Sequence, residues 1–404
     1  VLVSASVAWH LLKQRLANNG TENDMTTTLI HGTCDPSFSH LRDTFAENFR
    51  SRDDVGAAVA VYRDGRKVAD LWGGIADPKA RTPWTENTIV CMMSVGKAMA
   101  ALCVWRLIER GKIDLEAPVA KYWPEFAQGG KEAITVRQLL GGLMGLVYAD
   151  HAPAGSAFDW ETMVHAMEAQ EPIWKPGTVG AYHSMTAGTL FGELVRRVDG
   201  RRVNEFFAEE VANPLGMDYK FGLNEAEIKR VAPLLPNAGS VTLTQIADPT
   251  SKLGRAWRIL PQEPDVFNSI AFRKTVFPSA NGHGNARAIA RVYAALANGG
   301  TLDGYHLLSQ TLIDELRKPS WEGTCGLTDR EFRYGLGFFV SAPPLVPFGD
   351  NPRAFGQPGA GGAIGFADPE AGLAFSYSPN QMCAGAGLGA ACEALIEAAF
   401  KCIR

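Results

Sequence analysis

The sequence predicts an α/β protein of the α+β kind: an antiparallel sheet assembled from both ends of the chain, flanked by helices, with a mainly helical region inserted between the two halves. Three observations predict it. Hairpin patterns lie near the start and near the end, helical patterns fill the middle, and no Pro- or Ser-rich linker separates two independent halves. The expected boundaries are 25–113 with 271–404 for the sheet-bearing domain and 114–270 for the mainly helical one, the functional site falling between them.

Residues 1–24 are expected to lie outside this fold, as a disordered leader or an upstream extension. The opening "VLVSASVAWHLL" is apolar but too short to span a bilayer, and it lacks the basic leading region of a signal peptide. The run "VGAAVAVYRDGRKVADLWGG" (55–74) then reads as a hairpin, because two β-rich stretches flank an Asp64-Gly65 turn. Helices are predicted over 94–110, ended by Gly111; 185–198, ended by Gly200; 203–211; and 285–298, ended by Gly299-Gly300. A second hairpin, "GGAIGFADPEAGLAFSYSPN" (361–380), turns between Asp368 and Gly372, and a helix from about Leu388 to Lys401 follows it.

With 404 residues, 46% hydrophobic and 20% charged, the chain has enzyme-like composition and enough length for a large core. A net charge of -4 and the lack of a long basic run argue against nucleic acid as a partner. No membrane partner is expected either. The seven cysteines are scattered without a C-x-x-C pair, which reads as free thiols in a reducing, cytoplasmic compartment and implies neither a disulfide framework nor a metal site. Oligomeric state is not legible.

From Ser94 to Trp105 the predicted helix is apolar on every face except at Ser94 and Lys97. Positions three apart stack about one turn apart on a helix, so the Lys97 amine comes within reach of the Ser94 hydroxyl. Burial disfavours charged lysine and lowers its pKa, which makes it a base for a serine that is otherwise a weak nucleophile. Ser94 also opens the helix, where free N–H groups favour developing negative charge. The plainer alternative is an N-cap serine with a lysine that snorkels outward, but this helix offers no polar face to snorkel along.

Two further segments carry candidate groups. Tyr182-His183-Ser184 stands before a helix, where Tyr182 is either a reactive phenol or a half-buried aromatic, and Ser184 a site hydroxyl or a cap. His183 should point away from Tyr182 in an extended segment and is left out of the chemistry. In "FGQPGAGGAIGF" (355–366) the glycines do not satisfy G-x-G-x-x-G, so no dinucleotide is expected; they let a backbone N–H approach a ligand, or serve a tight loop. No cofactor is implied. No serine sits in G-x-S-x-G, which excludes the α/β-hydrolase elbow.

The order of S-V-G-K (94–97), Y-H-S (182–184) and Q-P-G-A-G-G (357–362) resembles the serine β-lactamase and penicillin-binding-protein superfamily, especially class C β-lactamases and family VIII carboxylesterases. The likeness extends over most of Val55 to Ala399. It implies a β-lactamase-like fold in which Ser94 is the acylated nucleophile, Lys97 takes its proton, and Tyr182 passes a proton to the leaving group and then activates water. It also implies an oxyanion hole of the Ser94 and Ala360 N–H groups, with Ser184, Gln357, Gly359 and Gly361 against substrate.

Three departures shape the expected substrate. Gln357 replaces the Lys or His that often heads the third motif, removing a cation that would grip a carboxylate. Ser184 replaces an asparagine that can hold a β-lactam side chain. "LLGGLMGL" (139–146) places Gly142 and Leu143 where relatives often read histidine and a polar residue. The expectation is a serine carboxylesterase acting on small neutral acyl esters. An acyltransferase, a β-lactamase or D-aminopeptidase on the same fold, and an idle binding module are the alternatives.

Overall fold

The computed structural model describes residues 28–343, 346–385 and 387–404; the expected extension over 1–24 lies outside the described residues. A ten-stranded antiparallel sheet dominates. Its order is Ile30–Cys34, Arg66–Asp77, Gly56–Arg63, Leu373–Pro379, Ile364–Asp368, Phe355–Pro358, Phe339–Val340, Glu331–Tyr334 and Trp321–Thr324, with Thr82–Pro83 paired off the path to Arg66–Asp77. The two chain ends therefore meet at its middle, where Val59 pairs with Tyr377 and Val61 with Phe375.

The first hairpin turns where both Asp64 (φ 50°) and Gly65 (φ 73°) are left-handed, the combination that matches strand twist in a two-residue turn. Strand alternation then sorts the two faces. Val59, Val61, Phe366 and Phe375 pack with Phe45 and Leu395, from the helices Ser39–Ser51 and Ala390–Lys401. Ala58, Ala60 and Ala374 face the other way. Their small side chains let the helix Ala286–Ala297 lie close to the sheet, and Gly365 sits directly under Tyr293 of that helix.

The helix Val95–Glu109 is buried from Val95 through Leu107, as its all-round apolar sequence requires. It packs against the helix Ala187–Asp199, whose end is set by left-handed Gly200 (φ 93°). The helix expected over 203–211 is α-helical only over Val203–Phe207 and continues as a π turn over Ala208–Ala212. Between residues 114 and 270 lie helices of up to 13 residues and two two-residue strands. Those strands, Tyr219–Lys220 and Val231–Ala232, join His283–Gly284 and Ile89–Cys91 in a small second sheet. Ile89–Cys91 leads straight into Ser94, so this small sheet fixes where the buried helix begins.

Among the described residues no helix is long and apolar enough to cross a membrane. All seven cysteines are free thiols.

Candidate active site

The helix holding Ser94 is entered through a strained step. Met93, with φ 49°, lies in the left-handed region that non-glycine residues seldom occupy. Ser94 follows at the N-cap position, yet its hydroxyl makes no capping bond. It lies 2.8 Å from Nζ of Lys97 instead.

Lys97 has no exposed surface. Its Nζ also donates to the carbonyl oxygen of Ser279. Burial alone holds the amine well below the ordinary lysine range. A neutral amine has a lone pair to accept from the Ser94 hydroxyl while one of its N–H bonds serves Ser279. Ser279 was not legible in the sequence, since nothing in its spacing marks it. Besides its carbonyl, its Oγ accepts from the Gly188 N–H at 2.9 Å and donates to Met185 O at 2.7 Å, tying the helix after Tyr182 to the lysine.

Tyr182 completes the group. Lys97 Nζ lies 5.0 Å from the centroid of its ring, and its hydroxyl is hydrogen-bonded with Ser94. Burial pushes the phenol above the ordinary tyrosine range despite these bonds, so it is protonated at neutral pH. The ring leans on Phe339, centroid to centroid 5.2 Å. The Tyr182 N–H donates to Sγ of Cys325 at 3.3 Å.

His183 is held away from this chemistry. Its Nε2 accepts from the Leu146 N–H at 3.1 Å, so the proton sits on Nδ1, which donates to Ala181 O at 2.9 Å. Burial lowers its pKa to about 4. This places the 139–146 loop behind the Tyr182 segment, not in the site. Gly142 is left-handed (φ 71°), its carbonyl accepts from the Ala181 N–H at 2.9 Å, and a Cβ there would lie 2.6 Å from Ala181 O.

The third segment approaches from the sheet. A Cβ on Gly359 would come 2.3 Å from Met92 O, so this glycine lets the 359–361 loop lie directly against the entry to Ser94. Ala360 and Gly361 line a cavity with Ser94, Tyr182 and Ser184. Among the described residues, neither the Ser94 N–H nor the Ala360 N–H has a hydrogen-bond partner. Ser184 Oγ accepts from Trp257 Nε1 at 3.0 Å.

Gln357 differs from expectation. Expected to touch substrate, it is completely buried and does not line the cavity. Strand alternation turns it inward, and its amide donates to the Tyr182 hydroxyl at 3.3 Å and to Pro358 O at 3.0 Å. Its Oε1 is buried without a partner. Among the described residues no cluster of His, Cys, Asp or Glu is arranged to hold a metal ion. What the arrangement offers is a dehydrated amine, a hydroxyl, a protonated phenol and two unengaged N–H groups at one wall of a cavity.

A family model described as Beta-lactamase matches residues 42–391. The protein named esterase/beta-lactamase LipL, from Mycobacterium tuberculosis (strain ATCC 25618 / H37Rv), is 34% identical over 367 residues, covering 87% of this chain and 83% of its own length. A solved structure titled as a family VIII carboxylesterase is 38% identical, with a TM-score of 0.84, and the match covers 93% of this chain and all 100% of that one. A penicillin-binding-protein homolog from Caulobacter crescentus is 35% identical with a TM-score of 0.84, over 93% and 100% of the two chains.

Proposed function

The chain belongs to the beta-lactamase family and is a serine hydrolase, and from that premise we propose that it is a cytoplasmic carboxylesterase that cleaves small acyl esters through an acyl-serine intermediate. The observation that carries this reading is the 2.8 Å approach of a completely buried lysine amine to the Ser94 hydroxyl.

In acylation, Ser94 Oγ attacks the ester carbonyl as its proton moves to Lys97 Nζ. The Ser94 and Ala360 N–H groups donate to the developing oxyanion. Tyr182 gives its proton to the departing alkoxide as the carbonyl carbon to oxygen bond breaks, and the Lys97 ammonium returns a proton to the phenol. Water then attacks the acyl-serine along the same route in reverse, releasing the acid and restoring the Ser94 hydroxyl. The raised pKa of Tyr182 supports its part as donor in the first half, because a phenolate would have no proton to give.

The likeness to a structure titled as a family VIII carboxylesterase, 38% identical, supports esters over penicillins as substrates. A panel of p-nitrophenyl esters of rising chain length, run beside nitrocefin, tests the assignment. Ester turnover that disappears in Ser94→Ala is the expected outcome; rapid nitrocefin turnover with negligible ester turnover contradicts it.

A further inference from the structure

We propose that Phe332 and Phe339 form the wall that receives the alcohol part of the ester, so that the preferred substrates are esters of alcohols that carry an aromatic ring. The proposal rests on the ester-hydrolysis reading above and adds the chemical class of the leaving group.

The proton that Tyr182 gives up goes to the leaving oxygen, so the alcohol lies within hydrogen-bond reach of that hydroxyl. The surroundings of the Tyr182 ring then set where the rest of the alcohol goes. Among the described residues its ring neighbours are Phe339 at 5.2 Å and Tyr334 at 6.3 Å, centroid to centroid. Of these two, only Phe339 lines the cavity. Phe332 is also in the lining and continues the series, its ring at 5.0 Å and 75° to that of Phe339. Val346 and Leu388 line the same cavity and belong to the same apolar cluster as Phe339. Trp257, the remaining aromatic ring among the described lining residues, is tied instead to Ser184, to which its Nε1 donates at 3.0 Å. The surface next to the proton donor is therefore apolar and ring-bearing.

Phe332 has a face left for a ligand to cover. It lies two residues before Tyr334 on the strand Glu331–Tyr334, so the two side chains share one side of the sheet. Opposite Tyr334 on the neighbouring strand stands Trp321, stacked on it at 6.1 Å. Opposite Phe332 stands Gly323, which has no side chain to lay over the ring, and a Cβ there would meet nothing within 4 Å. Phe332 accordingly stays half-buried. A phenyl ring left partly in water beside a reactive centre gains by meeting a second ring, edge to face or offset, and an aliphatic group of equal size supplies the burial without that geometry.

The test uses benzyl butyrate, cyclohexylmethyl butyrate and propyl phenylacetate on the full chain, the last an isomer of the first with the ring moved to the acyl part. The unaltered enzyme is expected to favour benzyl over cyclohexylmethyl butyrate by about 2- to 10-fold in kcat/KM, the range that an aromatic pair adds beyond burial. Phe332→Leu is expected to bring that ratio close to one and Phe332→Tyr to keep it. Phe332→Leu is also expected to lower turnover of benzyl butyrate more than that of propyl phenylacetate. Each readout is a ratio on one preparation, so a smaller folded fraction cancels. A ratio of one or less with unaltered enzyme overturns the proposal, as does a ratio that Phe332→Leu leaves intact, an equal or greater loss on propyl phenylacetate, or no turnover of benzyl butyrate by an enzyme that cleaves p-nitrophenyl butyrate. If no ester at all is turned over, it is the hydrolytic reading that fails. Calorimetry with benzyl butyrate then decides: saturable binding weakened in Phe332→Leu supports the aromatic wall, and no saturable binding, or binding that the variant leaves intact, overturns it.

Discussion

Lys97 Nζ and Ser94 Oγ are 2.8 Å apart, and the lysine has no surface exposed to water. Among the described residues, the one carbonyl that accepts from its Nζ is that of Ser279. Among the described residues no carboxylate stabilises a charge there, and burial alone lowers its pKa.

The first consequence is a pH profile. Because burial depresses the Lys97 pKa, the amine is free above its folded value and charged below it. The acylation rate is expected to fall as pH drops through that value and to level off above it. Tyr182 adds no alkaline limb below about pH 10, since burial raises its pKa from the ordinary value. Lys97→Ala is expected to lower kcat/KM at least about 100-fold. An acid limb that survives unchanged in Lys97→Ala assigns the titration to another group.

The same burial has a stability signature. The unfolded chain binds a proton at Lys97 that the folded chain refuses, so stability rises with pH between the folded pKa and about 10.4. Urea denaturation of the protein and of Lys97→Met at pH 7 and pH 9 measures this. The increment between the two pH values is expected to be smaller in the variant.

His183 and His283 are both buried, each with its pKa lowered to about 4. Folding holds them neutral, so the stability they contribute is complete above about pH 6.5 and is lost as pH falls toward 4, on the order of 3 kcal/mol each. Denaturation curves across this window for the protein and His183→Gln should differ in slope. Equal slopes would show that His183 is not held neutral.

Removing the Tyr182 hydroxyl takes away the proposed proton route without changing the ring. Tyr182→Phe is expected to cost about 100-fold in kcat, with the fold intact by circular dichroism. Near-normal turnover by Tyr182→Phe rejects the route even with Ser94 acylated.

Gly359 tests the oxyanion geometry. A Cβ at 2.3 Å from Met92 O forces the loop away and carries the Ala360 N–H with it. Gly359→Ala is expected to lower kcat by about 100-fold, the scale for losing one oxyanion donor. An equal loss in KM alone would point to substrate binding.

Local rules made much of this molecule legible in the sequence. The Asp64-Gly65 turn, the left-handed Gly200 and the apolar Val95–Glu109 helix each follow from short-range chemistry, and the three motif segments line up in order along the chain. What escaped depends on contacts between distant residues. Ser279 reaches Lys97 across 182 positions. The 139–146 loop turned out to brace Tyr182 through His183 and Ala181, a role its sequence did not reveal. The inward turn of Gln357 escapes motif order, which says nothing about which face of a strand is buried.

The most direct measurement is intact mass followed by peptide mapping after brief exposure to a fluorophosphonate probe. The account predicts one adduct, on Ser94, absent from Ser94→Ala and formed about 100-fold more slowly in Lys97→Ala. An adduct on any other residue, or none on folded protein, contradicts it.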